Sequence, residues 1–146
     1  PLAVAEEIAG ALRRLSADRG VAIETAGDAA AGVPVDPQDM AEMLGNLMEN
    51  ACTWARTRVL VRVEAEGGAV VATVCDDGPG LPDADRATAL LRGERLDERT
   101  PGSGLGLPIV ADLAGLHGGS LELWRGAAGG LRAVLRLPRS PAGSSP

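Results

Sequence analysis

The stretch Glu42-Met43-Leu44-Gly45-Asn46-Leu47-Met48-Glu49-Asn50-Ala51 decides the fold of this chain. Around it Met40, Met43, Leu44, Leu47, Met48, Ala51, Trp54 and Ala55 recur at spacings of three and four. That spacing puts one broad apolar face on a long helix. Asp36-Pro37 opens the helix as an N-cap followed by proline in the first helical position. The remaining stripe holds Glu42, Asn46, Glu49, Asn50, Thr53 and Thr57, so a helix is expected over 36 to 57 with polar chemistry on one side. Asparagine is a mediocre helix former, and two of them in mid-helix need a reason. Asn46 and Asn50 stand one turn apart and project their amide oxygens from the same side. Magnesium keeps several waters and binds through one or two protein oxygens plus substrate phosphates, which asks for sparse ligands of this kind.

Two later segments complement this helix. Asp76-Asp77-Gly78-Pro79-Gly80 follows four strand residues and puts Asp76 where a strand ends and the backbone turns. An acceptor-only carboxylate there takes a hydrogen bond from an exocyclic amine such as that of adenine. Gly78 and Gly80 let the chain pass close to a flat ligand. Gly102-Ser103-Gly104-Leu105-Gly106-Leu107 immediately precedes a helix, and helix N-termini present free N–H groups and positive dipole to phosphates. Taken singly, the three segments have ordinary readings as a solvated helix face, a turn and a flexible linker. In this order they supply metal, base and phosphate contacts for a nucleoside triphosphate.

Between these segments the patterning is clear. Residues 2 to 18 read as a helix through Leu2, Ala5, Ile8, Ala9, Leu12 and Leu15, and Gly20 ends it. Residues 21 to 25 read as a short strand, and 26 to 32 as a loop. Residues 58 to 66 alternate Val59, Val61 and Val63 against Arg58, Arg62 and Glu64, and Gly67-Gly68 turns them into a second strand over 69 to 75. A helix is expected over 83 to 91, a mobile loop over 92 to 103 and a helix over 105 to 117, stopped by Gly118-Gly119. A second hairpin follows, 120 to 124 with 131 to 137, and then a Pro/Ser/Gly tail. There is no internal repeat.

Composition narrows the classes. At 146 residues, 45% of them hydrophobic, the chain suits one domain with a real core. No apolar run reaches membrane-span length, and the N-terminus lacks a signal-peptide pattern. A net charge of -6 argues against a nucleic-acid partner. All fourteen basic residues are arginine, which excludes a Walker-type phosphate lysine and any lysine nucleophile. Tyr and Phe are absent, so stacking platforms for single strands are missing too. Cys52 and Cys75 form neither a Cys-x-x-Cys pair nor a disulfide framework and read as reduced structural thiols.

The order and spacing of the three segments resemble the Bergerat-type ATP-binding domain shared by histidine kinases, Hsp90-like chaperones and type II topoisomerases. The likeness is greatest to the catalytic domain of sensor histidine kinases and covers roughly residues 20 to 138. Asn46 to Ala51 looks like the N box, Asp76 to Gly80 the G1 box and Gly102 to Leu107 the G2 box. The resemblance implies an α+β fold, a two-layer sandwich with a mixed sheet covered on one face by helices and the other face exposed. It implies that Asn50 is the magnesium ligand, that Asn46 lies near metal and phosphates, and that Asp76 recognises adenine. Gly78, Gly80, Gly102, Ser103, Gly104, Leu105 and Gly106 would shape the pocket and the lid hinge. In ATP-hydrolysing relatives the position of Asn46 is a glutamate that activates water; an amide cannot do so, which favours transfer over hydrolysis. Residues 92 to 102 further resemble the short lid of PhoQ-like sensor kinases and make Arg95 a candidate catalytic phosphate contact.

Some positions depart from that pattern. Many histidine kinases carry a lysine three residues after the second N-box asparagine, and this chain has Thr53. The second lid arginine aligns with Thr100, one residue from Arg99, and the glutamine-like position is Ser103. His117, the only histidine, precedes Gly118-Gly119 at a helix end and reads as a residue that favours the helix dipole rather than a phosphoacceptor. The acceptor is therefore expected on a separate dimerisation domain, to which the helix at 1 to 18 would connect. The ATP-binding unit is then 19 to 138, and 139 to 146 a disordered tail. The implied whole is a homodimeric cytoplasmic kinase module of a membrane-anchored sensor that uses ATP and Mg2+ and feeds a response regulator, with no membrane contact by this segment. The alternatives are an anti-sigma-type serine kinase of the same superfamily and a nucleotide-binding regulatory module.

Overall fold

The computed structural model describes residues 1–15, 20–28, 32–80, 106–126 and 129–139. Its elements are helix α1 (Leu2–Leu15), strand β1 (Ala22–Gly27), helix α2 (Pro37–Trp54), strands β2 (Arg58–Glu66) and β3 (Ala69–Asp76), helix α3 (Gly106–Leu116) and strands β4 (Ser120–Arg125) and β5 (Leu131–Pro138). The strands form one mixed sheet in the order β1-β2-β3-β5-β4, with β1 parallel to β2 and every other pair antiparallel. Helices pack on one side, α1 over β1, α2 over β2 and β3, and α3 over β4 and β5. The chain is thus the two-layer α+β sandwich that the resemblance implies.

Strand alternation sets the inner face. Val59, Val61 and Val63 of β2, Val70, Ala72 and Val74 of β3, and Ala133, Leu135 and Leu137 of β5 are buried. Register aligns them in rows, Val61 with Val74 with Ala133 with Leu123, and Val63 with Ala72 with Leu135 with Leu121. From above, α2 buries Met40, Met43, Leu44, Leu47, Met48, Ala51 and Cys52 into the same core, and α1 adds Leu2, Ala5, Ala9 and Leu12. The opposite face carries Arg62, Arg132, Arg136, Glu122 and Trp124 exposed, although Val71 and Val134 on that side are buried. No described helix covers it, and none is long and apolar enough to cross a membrane.

Caps and side-chain ties fix the helices. Asp36 accepts a hydrogen bond from Gln38 N–H at 2.7 Å, with Pro37 behind it, as the sequence signal required. The Arg13 guanidinium donates to the Ile23 carbonyl at 2.6 and 3.1 Å, tying α1 to edge strand β1. His117 Nε2 lies 2.9 Å from Asp39 Oδ2, joining the end of α3 to the first turn of α2, and Gly119 N–H closes α3 onto Ala114 C=O at 2.7 Å. Both cysteines are unbridged, Cys52 buried and Cys75 half-buried on the outer face.

Several element ends shift by one residue, and two differ by more. Helix α2 stops at Trp54, not 57, because Ala55 is extended and Thr57 is held by Asp77. Strand β1 runs on to Gly27, where the parallel ladder with β2 continues to Val63. The expected helix at 83 to 91, the loop at 92 to 103 and the tail from 140 lie outside the described residues. Leu44, fully buried, and Leu116, 80% exposed, give a direct contrast. Leu44→Ala is expected to destabilise the domain by about 2 to 5 kcal/mol in urea unfolding, and Leu116→Ala by under about 0.5 kcal/mol.

Candidate functional site

Asp76 is the last residue of the middle strand, and alternation turns it to the inner face beside Val59. It is 4% exposed, the one polar side chain among the described core residues. Its Oδ1 accepts from Gly78 N–H at 2.8 Å and from Leu131 N–H at 3.4 Å. No described group bonds Oδ2. Burial pushes the carboxyl above its ordinary range, against the two N–H bonds, and the neighbouring Asp77 charge adds to the rise. A carboxylate held by one oxygen and presenting the other is built to accept a hydrogen bond from an incoming group.

Two glycines let the backbone close round this carboxyl. A Cβ at Gly78 would overlap the Trp54 carbonyl at the end of α2, and one at Gly130 would overlap the Asp76 main chain. Gly80, at φ 72°, sits against the Gly129 and Gly130 carbonyls. The β4–β5 connection is therefore part of the site, which sequence reading missed. Its only signal was the glycine density at Gly126, Gly129 and Gly130, and the β3–β5 register was needed to bring it under Asp76.

Asp77 faces a different set of partners. Its Oδ1 accepts from the N–H groups of Arg56, Thr57 and Arg58 at 2.8, 3.0 and 3.2 Å, and its Oδ2 from the Thr57 N–H and hydroxyl. These bonds hold its carboxyl well below the usual range, the Thr57 hydroxyl bond contributing most.

On α2 the Asn46 amide nitrogen donates to Glu42 C=O at 2.8 Å, which fixes the side chain and leaves Oδ1 as an acceptor. That oxygen abuts Gly106 at the start of α3, where a Cβ would come within 3.2 Å of it. Asn50, one turn on, is half-buried and makes no bond to another described residue. The donor set fits a hard cation, two neutral amide oxygens on one helix face and no crowding carboxylate between them but exposed Glu49. Thr53 turns its hydroxyl back to Glu49 C=O at 3.0 Å. The fold thus brings Asn46 to Gly106, and Asp76 to Gly78, Gly80 and Gly130. Arg95, Gly102, Ser103, Gly104 and Leu105 lie outside the described residues.

An amide-lined helix, a buried strand-end carboxylate and glycine turns in one sandwich are matched by a known family. Residues 35–141 fit the sequence profile of the histidine kinase-, DNA gyrase B- and HSP90-like ATPases. The chain belongs to that family. This ATPase-family domain is 46% identical over 111 residues to the sensor protein kinase CarS of Pseudomonas aeruginosa, covering 76% of this chain and 25% of CarS. It is 36% identical over 118 residues to the two-component sensor PhoQ of the same organism, covering 81% of this chain and 26% of that protein. The chain thus spans about a quarter of the length of these curated relatives. Among solved structures it superposes on full-length ShkA in complex with AMPPNP with a TM-score of 0.80 and 26% identity, over 93% of this chain and 29% of ShkA.

The two neighbouring carboxylates have opposite pH signatures. Asp76 has a raised folded-state value, so its stabilising contribution is present below about pH 4 and lost as pH rises from there through the higher folded-state value. Asp76→Asn, which keeps an oxygen for the Gly78 and Leu131 N–H groups, is expected to raise the melting temperature of the ligand-free domain at pH 7, with the gap closing toward pH 4. Asp77 has a lowered value, so its contribution is present above about pH 4 and lost as pH falls further. Asp77→Asn is expected to lower the melting temperature at pH 7 and to converge on wild type in acid. Differential scanning fluorimetry between pH 2 and 8 checks both signs.

Proposed function

We propose that this domain binds Mg-ATP and donates the γ-phosphate to a histidine of a separate dimerisation domain, as the catalytic part of a protein-histidine kinase that supplies a response regulator. The observation that carries the reading is Asp76, a buried carboxylate with one oxygen fixed by two N–H groups and the other bonded by no described group. Oδ2 accepts the adenine amine, and the glycines at 78, 80 and 130 admit the flat ring. Asn50 and the Asn46 oxygen hold the metal and phosphate end one helix turn apart, beside the N-terminus of α3 at Gly106. When bound, the magnesium neutralises phosphate charge.

The amide at position 46 cannot activate water. Asn46 is an amide already committed to Glu42 C=O, so the site favours transfer over hydrolysis. Positioning and electrostatics carry most of phosphoryl transfer, and the domain need hold no nucleophile. Gly102, Ser103, Gly104, Leu105 and Gly106 would line the phosphates, with Arg95 the contact that offsets charge in transfer. The cytoplasmic setting and homodimeric state are part of this proposal, supported by likeness to sensor kinases of which the chain matches about a quarter.

By calorimetry Asp76→Asn is expected to weaken ATP more than about tenfold, because an amide nitrogen then faces the adenine donor; unchanged affinity refutes the base assignment. Asn50→Ala is expected to remove the magnesium-dependent part of binding and leave the magnesium-independent part. Labelled ATP with a matched dimerisation domain should yield acid-labile phosphohistidine. Tight binding without transfer selects a nucleotide-sensing module instead.

A further inference from the structure

Asp77 gathers more bonds than its turn requires. An Asx turn needs one side-chain acceptor bond. Here one carboxylate takes three consecutive N–H groups and a hydroxyl, 19 to 21 residues away in sequence. They lie on Arg56 and Thr57 of the short connection between α2 and β2 and on Arg58, the first residue of β2. The sheet does not need this tie, since β2 and β3 already pair from Val59 with Asp76 to Glu66 with Ala69. The body of α2 does not need it either, because Met43, Leu44, Leu47 and Met48 are fully buried. What those contacts leave unfixed is the exit of α2 and the turn at 77 to 80.

At that exit Gly78 leans on the Trp54 carbonyl, the last residue of α2 and one helical turn after Asn50. Gly78 also donates to Asp76 Oδ1. The chain of contacts runs Asn50, Trp54, Gly78, Asp76, and Asp77 clamps its middle from the side.

We propose that Asp77 is a positioning residue of the nucleotide site, fixing the exit of α2 against the 77 to 80 turn and so setting where Asp76 and Asn50 stand relative to each other. This rests on the reading of Asp76 as the base-recognising carboxylate. A nucleotide spans both ends, so its affinity depends on their relative placement, whereas a ligand that touches the phosphate end alone does not sense it. The role is distinct from stability, which a local tie also serves.

The test compares Asp77→Ala, Asp77→Asn and Thr57→Val in the folded domain. Calorimetry reads Mg-ATP and Mg-tripolyphosphate affinities, and amide exchange reads the Gly78 N–H. With Asp77→Ala, ATP affinity should fall by more than about tenfold, tripolyphosphate should stay within about twofold, and Gly78 exchange should quicken. Asp77→Asn, which keeps an oxygen acceptor for the backbone, should stay within about threefold of wild type. Thr57→Val, which removes only the hydroxyl bond, should weaken ATP about two- to threefold and quicken Gly78 exchange; it carries the test if Asp77→Ala does not fold. A lower melting temperature with unchanged ATP affinity, or equal loss of ATP and tripolyphosphate, overturns the proposal. Asp76→Asn separates the two readings. If it leaves ATP binding intact, the base assignment falls; if it abolishes binding while Asp77→Ala does not, only the positioning role falls.

Discussion

An ionisable carboxylate in an inner-facing position of the middle strand governs this molecule. Every other inner position of β3 is valine or alanine packed under α2, and Asp76 replaces the next one in the row. A buried carboxylate is tolerated only when hydrogen-bonded, and leaving it unpaired exacts a stability penalty. Two N–H groups reach Oδ1, one from Gly78 in the same turn and one from Leu131 across the sheet. Both need the chain to come closer than a side chain allows, which is why glycine stands at 78 and 130. The turn and the β4–β5 connection close round that one group.

The second end of the site is solved differently. Asn46 and Asn50 sit on a helix whose opposite face is among the most buried surfaces of the domain. Core packing makes that helix rigid, so neutral amides of low helix propensity are carried without loss of order. Stability comes from the methionine and leucine face, and site chemistry from the stripe left over. Burial holds the Asp76 carboxyl above its ordinary range, and hydrogen bonds hold that of Asp77, its neighbour in sequence, below it. Site and scaffold meet within two residues.

Much of this was legible from the chain alone. Periodicity of three and four located α2, Asp36-Pro37 located its start, and valine alternation located β2 to the residue. These signals are local, and local physics decides them. The end of α2 was not legible, because no glycine or proline marks it and the stop is set by Asp77 more than twenty residues downstream. Thr57 therefore left the polar stripe of the helix and became a partner of the turn. Gly130 and Leu131 escaped notice for the same reason, since only the β3–β5 register carries them to Asp76. Asn46, Asn50, Asp76, Gly78 and Gly80 stand out as candidates in the sequence because residue type and spacing within one segment express their chemistry; Gly130 and Leu131, which reach Asp76 from another segment, do not.

The most direct measurement is a crystal structure of the domain with magnesium and a non-hydrolysable ATP analogue. The expected result places the adenine amine within about 3 Å of Asp76 Oδ2, with the metal against the Asn50 oxygen. Adenine bound away from Asp76, or a metal held without Asn50, would contradict it.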